Sequence, residues 1–123
     1  MKLNLEQNPN LNLITGYGAD HVLINKARHD GNLIVTREHI VAWSAEGFEH
    51  LSAEDFAAVR EMTPEVVIIG TGSRLRFPAP QVLRPLIEAG IGYEVMDLAA
   101  ACRTYNILVT EGRAVVAALV FDA

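Results

Sequence analysis

The sequence predicts an α/β fold in one domain, with a β-rich N-terminal half and an alternating β/α C-terminal half. Three observations predict it. The run Val66-Val67-Ile68-Ile69 is continuously β-branched, the pattern of a strand buried on both faces in a sheet covered by helices. A glycine turn, a helical stripe and a second strand follow it, the order of a parallel crossover. Ahead of it, short apolar runs are separated by turn residues, which reads as strands.

Taken in order, residues 1–10 are polar, contain Pro9 and read as an irregular arm, leaving 11–123 as one domain. Leu11 and Leu13 alternate with asparagines toward Gly16-Tyr17-Gly18, a period-two cue. Val22–Ile24 and Leu33–Val35 flank Asp30-Gly31, which suits a hairpin turn because glycine readily takes positive φ. Ile40–Trp43 reads as a further strand. Ser52 followed by Asp55 resembles a capping box, and Phe56, Val59 and Met62 then share a face until Thr63-Pro64 stops the helix. Pro78 and Pro80 introduce a helix carrying Val82, Leu83, Leu86 and Ile87 as a stripe, ended by Gly90. Ile91–Met96 is the next strand, and Glu65 to Met96 should form a right-handed crossover. Asp97 is a suitable N-cap for a helix reaching about Val109, with Gly112 at its exit. Ala114–Phe121 closes the domain as a strand.

Composition bounds the function. With 123 residues, half of them apolar and a fifth charged, the chain can bury roughly two thirds of its unfolded surface without staples. The net charge of −5 would repel a phosphate backbone, which excludes general nucleic-acid binding. No apolar run approaches the ~20 residues of a membrane span, so no membrane insertion is expected. The N-terminus carries no signal core and no Arg-rich presequence, and a cytoplasmic location is the expectation. One cysteine, Cys102, forbids an intrachain disulfide.

Two places could hold chemistry. Gly70-Thr71-Gly72 directly follows a strand, and Arg74 and Arg76 lie just beyond it, in a stretch from Ser73 to Pro85 with three arginines and no acid. Glycines there let backbone approach an anion, and arginines pair with carboxylate or phosphate. A dinucleotide fingerprint would need a third glycine where Leu75 stands and a helix starting at once, whereas this one begins at Pro80. Arg103 and Asn106 on the last helix fall on the side opposite Leu98, Ala101, Cys102, Tyr105 and Leu108, and could complete an anion pocket. The plainer readings are a structural turn and a solvated helix face. Cys102 reads as a buried apolar residue. His21, His29, His39 and His50 show no zinc spacing, no GxSxG elbow is present, and no catalytic set or cofactor is implied. Trp43 reads as core packing.

Several motifs taken in order carry a resemblance: GYG (16–18), VLINKARHDGNLIV (22–35), IVAW (40–43), VVIIGTG (66–72), FPAP (77–80), YEVMD (93–97), ACRTYNIL (101–108) and EGRAVVAALV (111–120). Together they resemble the family of mitochondrial complex I assembly factor three and its small bacterial and archaeal relatives, from about Leu11 to Phe121. The resemblance implies a single three-layer α/β domain around a mixed central β-sheet, with a β-rich hairpin N-terminal half, that works through contact with a protein partner or a second copy of itself. For the mitochondrial members it implies help in assembling NADH:ubiquinone oxidoreductase, with no known reaction and no catalytic residues to assign. Lacking a presequence, the chain resembles the bacterial members. Two expectations follow: a non-enzymatic interaction or assembly protein, or a domain that binds a small anionic ligand, or an enzyme, using the Gly70–Arg76 loop.

Overall fold

The computed structural model describes residues 11–122; the arm expected over 1–10 lies outside the described residues. Three short strands, β1 (Ile14–Tyr17), β2 (His21–Ile24) and β3 (Ala27–Asp30), form an antiparallel sheet of their own. The turn between β2 and β3 is Asn25-Lys26, with φ of 50° and 75°. Two successive positive φ angles match the right-handed twist of the paired strands.

Here the structure corrects the sequence reading. Asp30-Gly31 does place a glycine at φ 84°, but it does not pair Val22–Ile24 with the next strand. Instead it carries the chain into a second sheet through β4 (Leu33–Val35), which pairs antiparallel with β5 (Ile40–Ala42) on one side and with the last strand on the other.

That second sheet is mixed and five-stranded. The order is β5, β4, β8 (Val115–Leu119), β6 (Val66–Gly70), β7 (Gly92–Met96), with β8, β6 and β7 mutually parallel. Its alternation is clean because side chains on a strand point to opposite faces in turn. Ile34, Val67, Ile69, Val116, Ala118 and Val120 face one core with Trp43, Phe56, Val59 and Leu86. Leu33, Val35, Ile68, Ala117, Leu119 and Phe121 face another.

Helices α1 (Ala53–Arg60) and α2 (Arg84–Glu88) cover the first face. Asp55 starts α1 as the sequence predicted, its carboxylate accepting from the Ser52 N–H at 3.0 Å and from the Ser44 hydroxyl at 2.6 Å. The Trp43 indole N–H donates to the Asp55 carbonyl at 3.0 Å, and its ring meets Phe56 edge-on, so Trp43 is core. The helix predicted after Pro80 is shorter than its stripe implied. Val82 and Leu83 close i to i−3 turns onto Ala79 and Pro80, α2 spans five residues, and Ile87 is exposed. Pro78, Pro80 and Pro85 remove three backbone donors from this stretch, which prevents a longer helical ladder.

The long helix α3 (Leu98–Thr110) covers the other face, together with the small sheet. Asp97 caps it, its carboxylate accepting from the Ala100 N–H at 2.9 Å. Leu98, Ala101, Cys102, Tyr105 and Val109 are buried beneath it. The result is three layers: α1 and α2, the five-stranded sheet, and α3 with the small sheet. Among the described residues no helix is long and apolar enough to cross a membrane.

Candidate functional site

The loop after β6 is built from residues that close it on itself. Gly70 is the last residue of the strand, and a Cβ there would meet Leu119 Cδ2 at 2.9 Å and Ala101 Cβ at 3.0 Å. Glycine is therefore what lets α3 lie close on the sheet. Gly72 has φ 91°, and a Cβ on it would strike the Asp122 carboxylate.

Thr71 between them is fully buried. Its hydroxyl donates to the Arg74 carbonyl at 2.8 Å and accepts from the Arg76 N–H at 3.1 Å. Its own N–H reaches the Met96 carbonyl at 2.9 Å. The Leu98 N–H donates to the Gly72 carbonyl at 2.7 Å, which ties the loop to the start of α3.

Arg76 turns inward. One guanidinium nitrogen donates to the Thr71 carbonyl at 2.7 Å and lies 3.8 Å from Asp122 Oδ1. The guanidinium stacks 4.5 Å from the Phe48 ring centroid, a cation–π geometry. Its Nε is buried without a partner among the described residues.

The carboxylate of Asp122, just past β8, also accepts from the Ser73 N–H at 3.2 Å. Hydrogen bonds from Ser73, and then the charges of Arg76 and Arg74, hold its carboxyl below the usual carboxylate range. The loop thus does receive an anion, and that anion is the chain's own Asp122. Sequence reasoning missed this residue because no local pattern links position 122 to position 73.

The other residues nominated from sequence are not gathered here. Arg74 is exposed. Arg103 and Asn106 lie about 8 and 12 Å along the α3 axis from Leu98 at the helical rise. Asn106 uses both ends of its amide on one residue, accepting from the Ile14 N–H at 2.9 Å and donating to the Ile14 carbonyl at 2.8 Å. Gly72 and Ser73 do border a cleft of about 390 Å³, completed by Tyr17–Ala19 and Asp97–Ala99. It opens outside the carboxyl ends of β6 and β7, where the two outgoing connections leave to opposite faces, but none of the nominated arginines lines it.

Elsewhere, Asp20, His21 and Asp30 bring ligand-type atoms within 4.8 Å of one another. Arg28 already pairs there, 2.9 Å from Asp30 and 3.6 Å from Asp20. The Cys102 thiol is buried and pushed up to about 12 by desolvation. Burial likewise raises Tyr105, whose hydroxyl donates to the Asn12 carbonyl at 2.8 Å.

Comparison with known proteins places this architecture. Residues 14–120 match the model of a family described as proteins of unknown function, DUF498/DUF598. The chain belongs to that family. Among DUF498 relatives, NADH dehydrogenase [ubiquinone] 1 alpha subcomplex assembly factor 3 of Bos taurus is 33% identical over 109 residues, covering 87% of this chain and 59% of the bovine protein. An uncharacterised protein of Rhodobacter capsulatus is 37% identical over 109 residues, covering 86% of this chain and 82% of that protein. The solution structure of a Mth938-like domain from Bordetella pertussis superposes with a TM-score of 0.82 at 30% identity, covering 100% of this chain and 94% of that one. The chain thus spans about three fifths of the bovine relative's length.

Proposed function

We infer that this chain is a non-enzymatic interaction protein of the assembly-factor type, acting in the bacterial cytoplasm by holding another protein and not by turning over a substrate. The observation that carries this reading is the 33% identity with bovine assembly factor 3 across 87% of the chain, which extends through both sheets and all three helices. Two features of the site support it. The anion seat at Gly72–Arg76 is filled by Asp122, so a small anionic ligand would first have to expel an acid held by Ser73 and Arg76. The side chains with nucleophilic chemistry inside the fold, Cys102 and Tyr105, are desolvated and packed, which suppresses the ionised forms that react.

Deleting the gene in its source organism, then measuring NADH:ubiquinone oxidoreductase by native gel and activity, tests the reading. Loss or stalling of the complex, restored by the wild-type chain, is the expected result. Unchanged complex levels, with no subunit co-purifying with the tagged chain, would remove its support.

A further inference from the structure

The ladder between β4 and β8 stops short. β8 pairs with β6 from Val115 onward, but with β4 only from Ala117 onward. Past Val35 the chain leaves for the turn into β5, and the Arg37 carbonyl accepts from the Asn12 N–H at 3.0 Å instead of continuing the ladder. The start of β8 has no strand on that side, and a cavity of about 400 Å³ lies between it and the turn. That volume falls within the range of sites for small organic molecules. The cavity is at the opposite end of the parallel strands from the Gly70–Arg76 loop.

Its two sides differ in chemistry. Met62, Pro64, Val115 and Val116 supply an apolar wall, and Thr36, Arg37 and His39 supply a polar one. Thr36 sets the turn: its hydroxyl accepts from the His39 N–H at 3.0 Å, and its carbonyl accepts from the Asn12 side-chain amide at 2.9 Å. A hydroxyl has one hydrogen to donate, and that of Thr36 goes to no group among the described residues. Arg37 is half-buried and forms no ion pair among the described residues. None of the lining residues is acidic. The acids next to them in sequence are Glu38, which is exposed, and Glu65, which holds Arg113 at 2.7 Å. Thr63, between Met62 and Pro64, sits at φ 49°, in the left-handed region that a β-branched residue rarely enters. Such strain persists only where the surroundings impose it, and it clusters at ligand sites.

We propose that this cavity binds a small organic monocarboxylate, its carboxylate received by Thr36, Arg37 and His39 and its aliphatic or aromatic body laid on Met62, Pro64, Val115 and Val116. Inorganic phosphate is a poorer occupant, because it would leave the apolar wall against water. A polyphosphate is poorer too, since one arginine and one histidine supply too little positive charge for it. The site goes beyond the interaction reading and does not depend on it. For a probe of about ten heavy atoms in a half-open cavity the Kd is on the order of a few millimolar.

The test is titration of the isotope-labelled full chain with octanoate, kept below the concentration at which it forms micelles, and read by amide shifts. Shifts gathered at 36–39, 62–65 and 114–116 are expected. Octylamine and inorganic phosphate are the comparisons, and neither should reproduce them. Arg37→Gln should weaken octanoate binding at least about tenfold, the effect of losing a hydrogen bond between charged groups. His39→Glu, at an exposed position, should weaken it at least as much and leave the melting temperature unchanged, so that loss of binding there is not loss of fold. No shift at several times the expected Kd, shifts spread over other apolar surface, an equal response to octylamine or phosphate, or full binding by either variant would each overturn the proposal. A leucine-ended peptide with a free carboxyl that moves the same amides at lower concentration than octanoate would overturn it too, because the occupant would then be a protein C-terminus. The deletion strain reads the assembly role and this titration reads the cavity, so either can fail without the other.

Discussion

Asp122 shows how a single residue can change what a motif means. Gly70-x-Gly72 followed by two arginines has the chemistry of an anion loop, and the anion arrives from the far end of the chain. Its carboxyl is depressed by Ser73 and then by Arg76 and Arg74, so the folded state favours the ionised form more than the unfolded state does. The stabilisation is therefore complete above the ordinary aspartate value of about 3.9, and is lost as pH falls through the depressed folded-state value. Asp122→Asn should be less stable than wild type at pH 7, and the gap should close only in strong acid. Urea titrations of both proteins at neutral pH and near pH 3 read this directly. Because the side chain is 40% exposed, solvent screening keeps the neutral-pH difference to about 1 kcal/mol or less. A gap that persists undiminished in acid would mean that Asp122 acts by shape and not by charge.

At the scale of elements, β6 and α3 were the most legible parts of the fold. A β-branched run in the sequence became an interior strand, paired on both sides, and Asp97 became the N-cap, because both signals are local. Sheet membership was not legible. Val22–Ile24 and Leu33–Val35 look alike as apolar triplets, yet they belong to different sheets, and what separates them is the tight turn at Asn25-Lys26. That turn uses two non-glycine residues at positive φ, so the glycine at position 31 was the louder but wrong signal for a hairpin. The stripe ending at Ile87 failed for a different reason, since prolines fixed the backbone before periodicity could act. At the candidate site the residues were visible but their directions were not, since spacing does not say that Arg76 turns in while Phe77 turns out.

The contact of α3 with the central sheet makes its own prediction. Gly70→Ala inserts a methyl between Leu119 and Ala101 and should cost about 1–3 kcal/mol, the usual penalty for overpacking a close contact. Chemical denaturation at neutral pH measures it. An unchanged midpoint would mean that α3 slides outward without loss. The same packing protects Cys102, 3% exposed with its thiol pushed up to about 12. A thiol reagent should label it in the native protein far more slowly than in denaturant, at a rate set by opening of the structure.

On the scale of the whole molecule, asparagines and one tyrosine join two sheets that share no strand pairing. Tyr105 donates to the Asn12 carbonyl, Asn12 donates to the Thr36 carbonyl, and Asn106 holds both backbone groups of Ile14. Asn32, just ahead of β4, instead ties together the end of the five-stranded sheet itself, accepting from the Phe121 N–H and donating to the Ala45 carbonyl. The small sheet is thus attached to α3 by a few polar bonds and by Leu11, Ile14, Val22 and Ile24 in the shared core, whereas β6 is hydrogen-bonded along its length on both sides. Such an arrangement should open in two stages. Asn106→Ala removes the partner of the Ile14 N–H and carbonyl, which are only partly buried, and should cost about 1–3 kcal/mol for the orphaned groups. That cost should appear first as faster hydrogen exchange in β1–β3, while amides of β6 and β8 keep the protection set by global unfolding. Residue-resolved exchange on wild type and variant decides between this and a single cooperative unit: uniform acceleration through both sheets would show that the asparagine link is part of one indivisible core, and that the small sheet never leaves α3 by itself.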